Sequence, residues 1–174
     1  MNLTSKATRA RKLLLLMSSF LLAIPTLGSE EPTVRVEPTD SVGPRALEKQ
    51  TEDAVVRGYL QAWQTMRQAL AENRTDSLDK GFVGVAKQRL ADTVQDQQKL
   101  GIRTRYQDHS HHLTLLFYSP EGLSVQLADN VDFDVQLVDH GEVKATERVH
   151  TRYIAVMTPT EVRWQVRFFQ AEPQ

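Results

Sequence analysis

The sequence predicts an α+β fold, with N-terminal helices packed on a four-stranded antiparallel sheet. Three observations carry the prediction. In the last third of the chain, Val125, Leu127, Val131, Phe133, Val135 and Leu137 fall on one face of an extended segment, with Asp129 as the one interruption. Gln126, Asn130, Asp132, Asp134 and Gln136 fall on the other face. Turn-favouring residues recur between such segments at Pro120-Glu121-Gly122, His140-Gly141-Glu142 and Thr158-Pro159-Thr160. Upstream, the apolar spacing changes to steps of three and four, the period of a helix. A sheet that is apolar on one face and wet on the other needs a cover, and the helices supply it.

At the N-terminus, Lys6, Arg9, Arg11 and Lys12 precede Leu13–Ile24, a run of twelve residues that is apolar apart from Ser18 and Ser19. Pro25 ends the run, and Thr26-Leu27-Gly28-Ser29 supplies a small-residue exit. This is the layout of a secretory signal peptide over residues 1–28, with cleavage near Gly28 or Ser29. The alternative is an uncleaved anchor, although a spanning helix needs about 20 apolar residues. Both place the domain outside the cytoplasm, in a periplasmic or extracellular setting. Residues 29–46 hold Pro32, Pro38, Gly43 and Pro44 among acids and threonines, and read as a flexible linker.

The folded domain is expected over 47–174. Its first helix covers Leu47–Ala71, with Val56, Tyr59, Leu60, Trp63, Met66 and Leu70 as one apolar stripe. Acids near its start suit the helix dipole, and Asn73 can end it. A short second helix, capped by Thr75 or Asp76, runs to about Lys80. Gly81 and Gly84 bracket a turn. A third helix over Val85–Leu100 turns Ala86, Leu90, Val94 and Leu100 inward, and Gly101 stops it. The strands follow at His109–Tyr118, Leu123–Val138, Val143–Met157 and Val162–Gln170. In the last of these, Val162, Trp164, Val166 and Phe168 form the inward set.

Composition narrows the function. Four of the 21 bases lie in residues 1–28, which contain no acid. The remainder has 17 bases against 22 acids, a net −5, which argues against nucleic-acid binding. The absence of cysteine excludes disulfides, thiolate metal sites, cysteine nucleophiles and attachment of lipid through an N-terminal cysteine. No phosphate-cradling glycine loop, G-x-S-x-G elbow or zinc-binding H-E-x-x-H occurs, and nothing calls for a cofactor.

Tyr59-Leu60-Gln61-Ala62-Trp63 on the first helix, Arg74-Thr75-Asp76-Ser77-Leu78 at the second and Val162-Arg163-Trp164-Gln165-Val166 in the last strand resemble the nuclear transport factor 2-like superfamily. Helices first and strands last are particularly similar to the inner-membrane-associated domains of plastid-division proteins and their bacterial relatives. The resemblance implies a cystatin-like cone, in which a curved sheet wraps a long helix and leaves a pocket. The superfamily includes isomerases, dehydratases and cyclases beside non-enzymatic binding and assembly domains, so it speaks to fold more than to activity.

Among chemistry-bearing residues, His109, His111 and His112 cluster. His109 and His111 share a strand face and His112 points away, with no second ligand pair to complete a metal site. Pairing Leu115 with Val125 and Phe133 with Val149 sets His111 opposite Asp129, and Asp129 opposite Tyr153, all three inward. His111, Asp129 and Tyr153 are therefore the candidate ligand-binding residues. The same register sets outward Asp132 near His150, Asp134 near Arg148 and Arg152 near Arg167, and gathers Ile154, Val156 and Phe169 into an apolar spot. The resulting expectation is an exported, non-catalytic binding or assembly module of the cell envelope. Its partner is an envelope protein or a small ligand, contact with the membrane comes only through an uncleaved N-terminus, and the outer sheet face offers a homodimer surface. A small lyase or isomerase working through the polar cluster is the alternative.

Overall fold

The long helix α1, Lys49–Glu72, exists because Tyr59, Ala62, Trp63, Met66, Ala69 and Leu70 recur on one side and are all buried there. In the computed structural model, which describes residues 31–38 and 43–172, it is the element the sheet wraps. Lys49 draws in Glu52 and Asp53 at 3.1 and 2.7 Å in its first turn. At the other end Asn73 takes the left-handed conformation at φ 53°, the expected stop. The Asn73 side chain also donates to the Ile102 carbonyl at 2.7 Å, tying the helix end to the sheet. The expected second helix is a single 3-10 turn, Leu78–Lys80, that buries Leu78. Helix α2, Gly84–Leu100, turns Ala86 and Val94 inward and ends at Gly101, φ 71°, while Leu100, expected inward, is exposed on the last turn.

Five strands follow a simple order: β1 Thr33–Val36, β2 Ile102–Tyr118, β3 Val125–Asp139, β4 Glu142–Pro159 and β5 Trp164–Ala171. Strands β2 to β5 form the antiparallel meander, and β1 joins the outer edge of β2 in parallel. The sheet is therefore mixed and five-stranded rather than four-stranded and antiparallel. The extra strand lies inside 29–46, the stretch expected to be a linker. Thr33, Val34 and Val36 are β-branched, and Pro32 and Pro38 flank them, a pattern that suits an edge strand. The predicted signal segment 1–28 lies outside the described residues.

Two bulges change which residues face inward. Between Asp108 and Ser110 the ladder of β2 on β3 slips, so Asp108 and His111 both point to the core. His109 instead reaches outward to Asp134 at 3.0 Å, so it does not share a face with His111. In β5, Phe168 pairs with Val156 and Val166 with Met157, leaving Arg167 as the extra residue. The alternation expected for β5 is thereby reversed beyond Val166. Phe168 lies with Val156 on the outer face, and Phe169 turns in to meet Tyr59, Trp63, Phe82 and Tyr153. Arg152 pairs with Glu172 at 3.0 Å instead of approaching Arg167. Elsewhere on the outer face Asp132 sits opposite His150 and Asp134 opposite Arg148, as the register predicts. Arg148 holds Asp132 at 2.5 Å and Asp134 at 3.5 Å.

Candidate functional site: a charged chain beside a cavity

The site begins with Asp129, which sits mid-strand in β3 where the alternation demands an apolar residue. It is completely buried, yet each oxygen is satisfied. Oδ2 accepts from Tyr59 Oη at 2.9 Å and from His111 Nδ1 at 2.6 Å, and Oδ1 accepts from the His112 backbone N–H at 3.1 Å. Burying a carboxylate is costly unless such bonds replace its water. On its far side the His111 ring reaches Asp108, with Nε2 3.8 Å from Oδ2. Asp108 in turn pairs with Arg67 of α1. The result is a chain of alternating sign, Asp129–His111–Asp108–Arg67, leading from the core to the surface.

Its electrostatics follow from the geometry. Burial works against a charge on His111, but the carboxylates of Asp108 and Asp129 outweigh it and push the imidazole up to about 9. At neutral pH His111 is an imidazolium that donates from Nδ1 to Asp129 and faces Asp108 with Nε2 as a charge at 3.8 Å. Burial likewise pushes the Asp108 carboxyl up, and the opposing pull of His111 and Arg67 brings it below the usual range. The Trp63 indole N–H lies beside Asp108 but outside hydrogen-bond geometry, so it acts as a dipole rather than a bond. Burial and the Asp129 charge raise the Tyr59 phenol well above its ordinary value. The Trp63 ring stands edge-on to His111, with centroids 5.1 Å apart.

A cavity of about 370 Å³ opens beside this chain. Leu60, Trp63 and Arg67 of α1, Val34 of β1, and Asp108 and His111 of β2 line it. Arg67 keeps 32% of its side chain exposed against 4% or less for the other three members of the chain, so it is the charge that meets the opening. The wall is thus an oily strip of Leu60, Trp63 and Val34, with the Arg67 guanidinium at its charged end and Glu31 on the rim.

Of the residues predicted for the site, the structure brings His111 and Asp129 together, though not as direct neighbours. Leu113 pairs with Asp129 and His111 with Val131, two residues along from the expected register but on the same face. Tyr153 does sit opposite Asp129. Its ring, however, stacks on Phe169 with centroids 4.6 Å apart at 8°, and no hydrogen bond joins it to Asp129. Burial, with Tyr106 and Asp129 near, pushes its phenol up to about 12. The phenol that holds Asp129 is Tyr59, which the sequence presents only as part of an apolar stripe. Arg67 and Asp108 are also absent from the sequence reading. Tyr59, Trp63 and Arg67 recur at four-residue steps, and that spacing was the available signal for the helix side. His112 engages Glu37 on the outer face, so the three histidines serve three different carboxylates. Among the described residues no cluster of three or more His, Asp or Glu side chains is arranged to hold a metal.

Chemically, the arrangement holds a protonated imidazole beside two carboxylates, which suits a general acid better than a base. A base must be unprotonated at working pH, and His111 is not. Asp108, held low, is a weak base, and Asp129 already accepts three hydrogen bonds.

No family model matches the sequence, and no curated protein sequence matches it. Solved structures do match. The intermembrane space region of the chloroplast protein ARC6 superposes with a TM-score of 0.60 at 16% identity, over 75% of this chain and 100% of that one. A putative scytalone dehydratase from Novosphingobium aromaticivorans superposes with a TM-score of 0.50 at 10% identity, over 72% of this chain and 89% of that one. At such identities the likeness concerns fold, not activity. Helices in front, a curved meander behind and a cavity between them give the chain the cystatin-like cone fold that it shares with those structures.

Proposed function

We propose that the chain is an exported, non-catalytic binding or assembly module of the cell envelope. The observation that carries this reading is the paired charge chain beside an open cavity: His111 and Asp129 are spent on one another, while Asp108 Oδ1, Arg67 Nε and Trp63 Nε1 are buried beside the cavity without a hydrogen-bond partner. An oily strip closed by Arg67 suits a ligand, or a partner's side chain, with an apolar body and a polar head. Arg67 meets the polar end, His111 and Asp129 fix Asp108 and through it Arg67 from behind, and Tyr153 backs the Trp63 indole edge-on at 5.3 Å. The likeness to a region of a chloroplast protein that lies in an intermembrane space supports an envelope setting.

Native mass spectrometry of the protein taken from the envelope fraction tests the reading. A stoichiometric adduct of constant mass is expected, and Leu60→Trp, which fills the cavity from a half-exposed position, should abolish it. An adduct that is turned over on incubation, seen as a new mass for an elimination or as a new retention time at equal mass for an isomerisation, would replace this reading with its rival. That rival, a small lyase or isomerase, is favoured by one feature: an imidazolium backed by a carboxylate at 2.6 Å on a cavity wall can act as a general acid.

A further inference from the structure

Strand β2 is seventeen residues long, but β1 covers only Ser110–Leu113 of its outer edge. Before the bulge, Ile102–Asp108 pair with β3 on one side and, among the described residues, with no strand on the other. The coverage ends where it does for a local reason. Pro32, next before Thr33, has no N–H to continue the ladder. An open edge is a template for another strand, and β1 demonstrates that this edge accepts one in parallel.

The open stretch is also charged in a particular way. Arg103 and Arg105 lie two residues apart on the outward face, both exposed, opposite Val138 and Gln136 of β3. Neither forms an ion pair among the described residues. Around the edge toward α1, a second cavity of about 480 Å³ lies between Gln68 and Ala71 of α1 and Tyr106 of β2, with Arg105 at its rim. It meets the first cavity at Gln64 and Arg67, so a groove runs along the edge. The other open edge differs. Beyond β5, residues Glu142–Arg152 of β4 are also unpaired, but Lys144, Arg148 and Arg152 are already held by Glu142, Asp132 and Glu172.

We infer that Ile102–Asp108 is the docking edge for an extended acidic segment of a partner protein, which adds to β2 in line with β1. Acidic side chains at alternate positions lie against Arg103 and Arg105, and the residues between them, small or aliphatic, face Tyr106 and the groove. This rests on the binding-module reading and names the partner's chemistry.

The test uses the full chain and a fluorescent alternating Glu-Val peptide long enough to span Ile102–Asp108, read by anisotropy. The controls are an alternating Lys-Val peptide and a Glu-Val peptide of equal charge interrupted by proline. Wild type should bind the Glu-Val peptide alone. Arg103→Glu with Arg105→Glu, two exposed positions, should weaken that binding about ten-fold and transfer the preference to Lys-Val. Equal binding of the proline-interrupted peptide would reduce the effect to plain charge attraction and overturn strand addition. An unreversed preference, or no binding by wild type, overturns it as well. A retained cavity adduct in native mass spectrometry alongside any of these would sink the edge proposal alone.

Discussion

His111 keeps its proton because two carboxylates flank a ring that water does not reach, and this ties stability to pH. In the unfolded chain the imidazole titrates near its ordinary 6.5, and in the folded protein near about 9. Stability from this group is therefore complete below pH 6.5 and is lost as pH rises through about 9. The difference corresponds to about 3 kcal/mol. Denaturant midpoints across that window should fall for wild type, and the fall should vanish in His111→Gln. An undiminished slope in the variant would assign it to other groups. The variant should also lose about 3–5 kcal/mol at neutral pH, because it leaves Asp108 and Asp129 buried without their shared cation. Tyr59→Phe removes a bond to a charged acceptor and should cost about 1.5–3 kcal/mol, measured by equilibrium unfolding. At this scale the sequence was half legible. An acid breaking an apolar alternation marks Asp129, and a face-preserving register error of two residues still delivers His111. Tyr59 was hidden because a tyrosine on a helical stripe packs whether or not its hydroxyl is used. Asp108 was hidden because a bulge, which no alternation signals, turns it inward.

Helix α1 meets β5 at backbone distance, and one residue makes that possible. A Cβ added at Gly58 would lie 2.6 Å from the Trp164 carbonyl oxygen and 3.1 Å from its Cβ. In an exposed helix Gly→Ala gains roughly 0.5–1 kcal/mol. Here Gly58→Ala should instead destabilise by about 1–3 kcal/mol, since the obstacle is backbone that cannot rotate away. A raised melting temperature would show that α1 and β5 are not in this contact. Five residues along, Trp63 packs edge-on against Phe133 at 5.8 Å and against Phe169 at 6.0 Å. Trp63→Ala should cost about 3–5 kcal/mol. Elements with a strong period were readable: α1, α2 and the bodies of β3 and β4 start and stop within about two residues of expectation. The start of β2 was not. Ile102-Arg103-Thr104-Arg105 alternates as a strand does, but it follows α2 with only Gly101 between, and no turn cluster announces it. Phe168 and Phe169 were exchanged because Arg167 bulges, and adjacent aromatics offer no cue to which one turns in.

For the whole molecule, the meander and its helical cover were legible because one-sided burial forces both patterns over long stretches. The fifth strand was not, since four residues between prolines carry too little period to stand apart from a tether. That strand bears on the proposed export. Only eight residues separate Ile24, the end of the apolar run, from Thr33, already in the sheet. Fully extended, they reach at most about 30 Å. An uncleaved N-terminus would therefore hold the cone against the bilayer, with the Glu31 and Pro32 rim of the cavity on the membrane side. Removal of a signal peptide near Gly28 leaves a short acidic stub and frees that rim. A twelve-residue apolar run against the roughly 20 needed to span favours removal. No described helix is long and apolar enough to cross a membrane, so residues 1–28 are the segment on which the choice turns. Intact-mass measurement on the envelope fraction should find a chain shorter by about 28 residues, released without detergent. Full-length protein that resists alkaline extraction would establish the anchor instead, and would place the cavity mouth and the neighbouring β2 edge within reach of membrane-bound partners only.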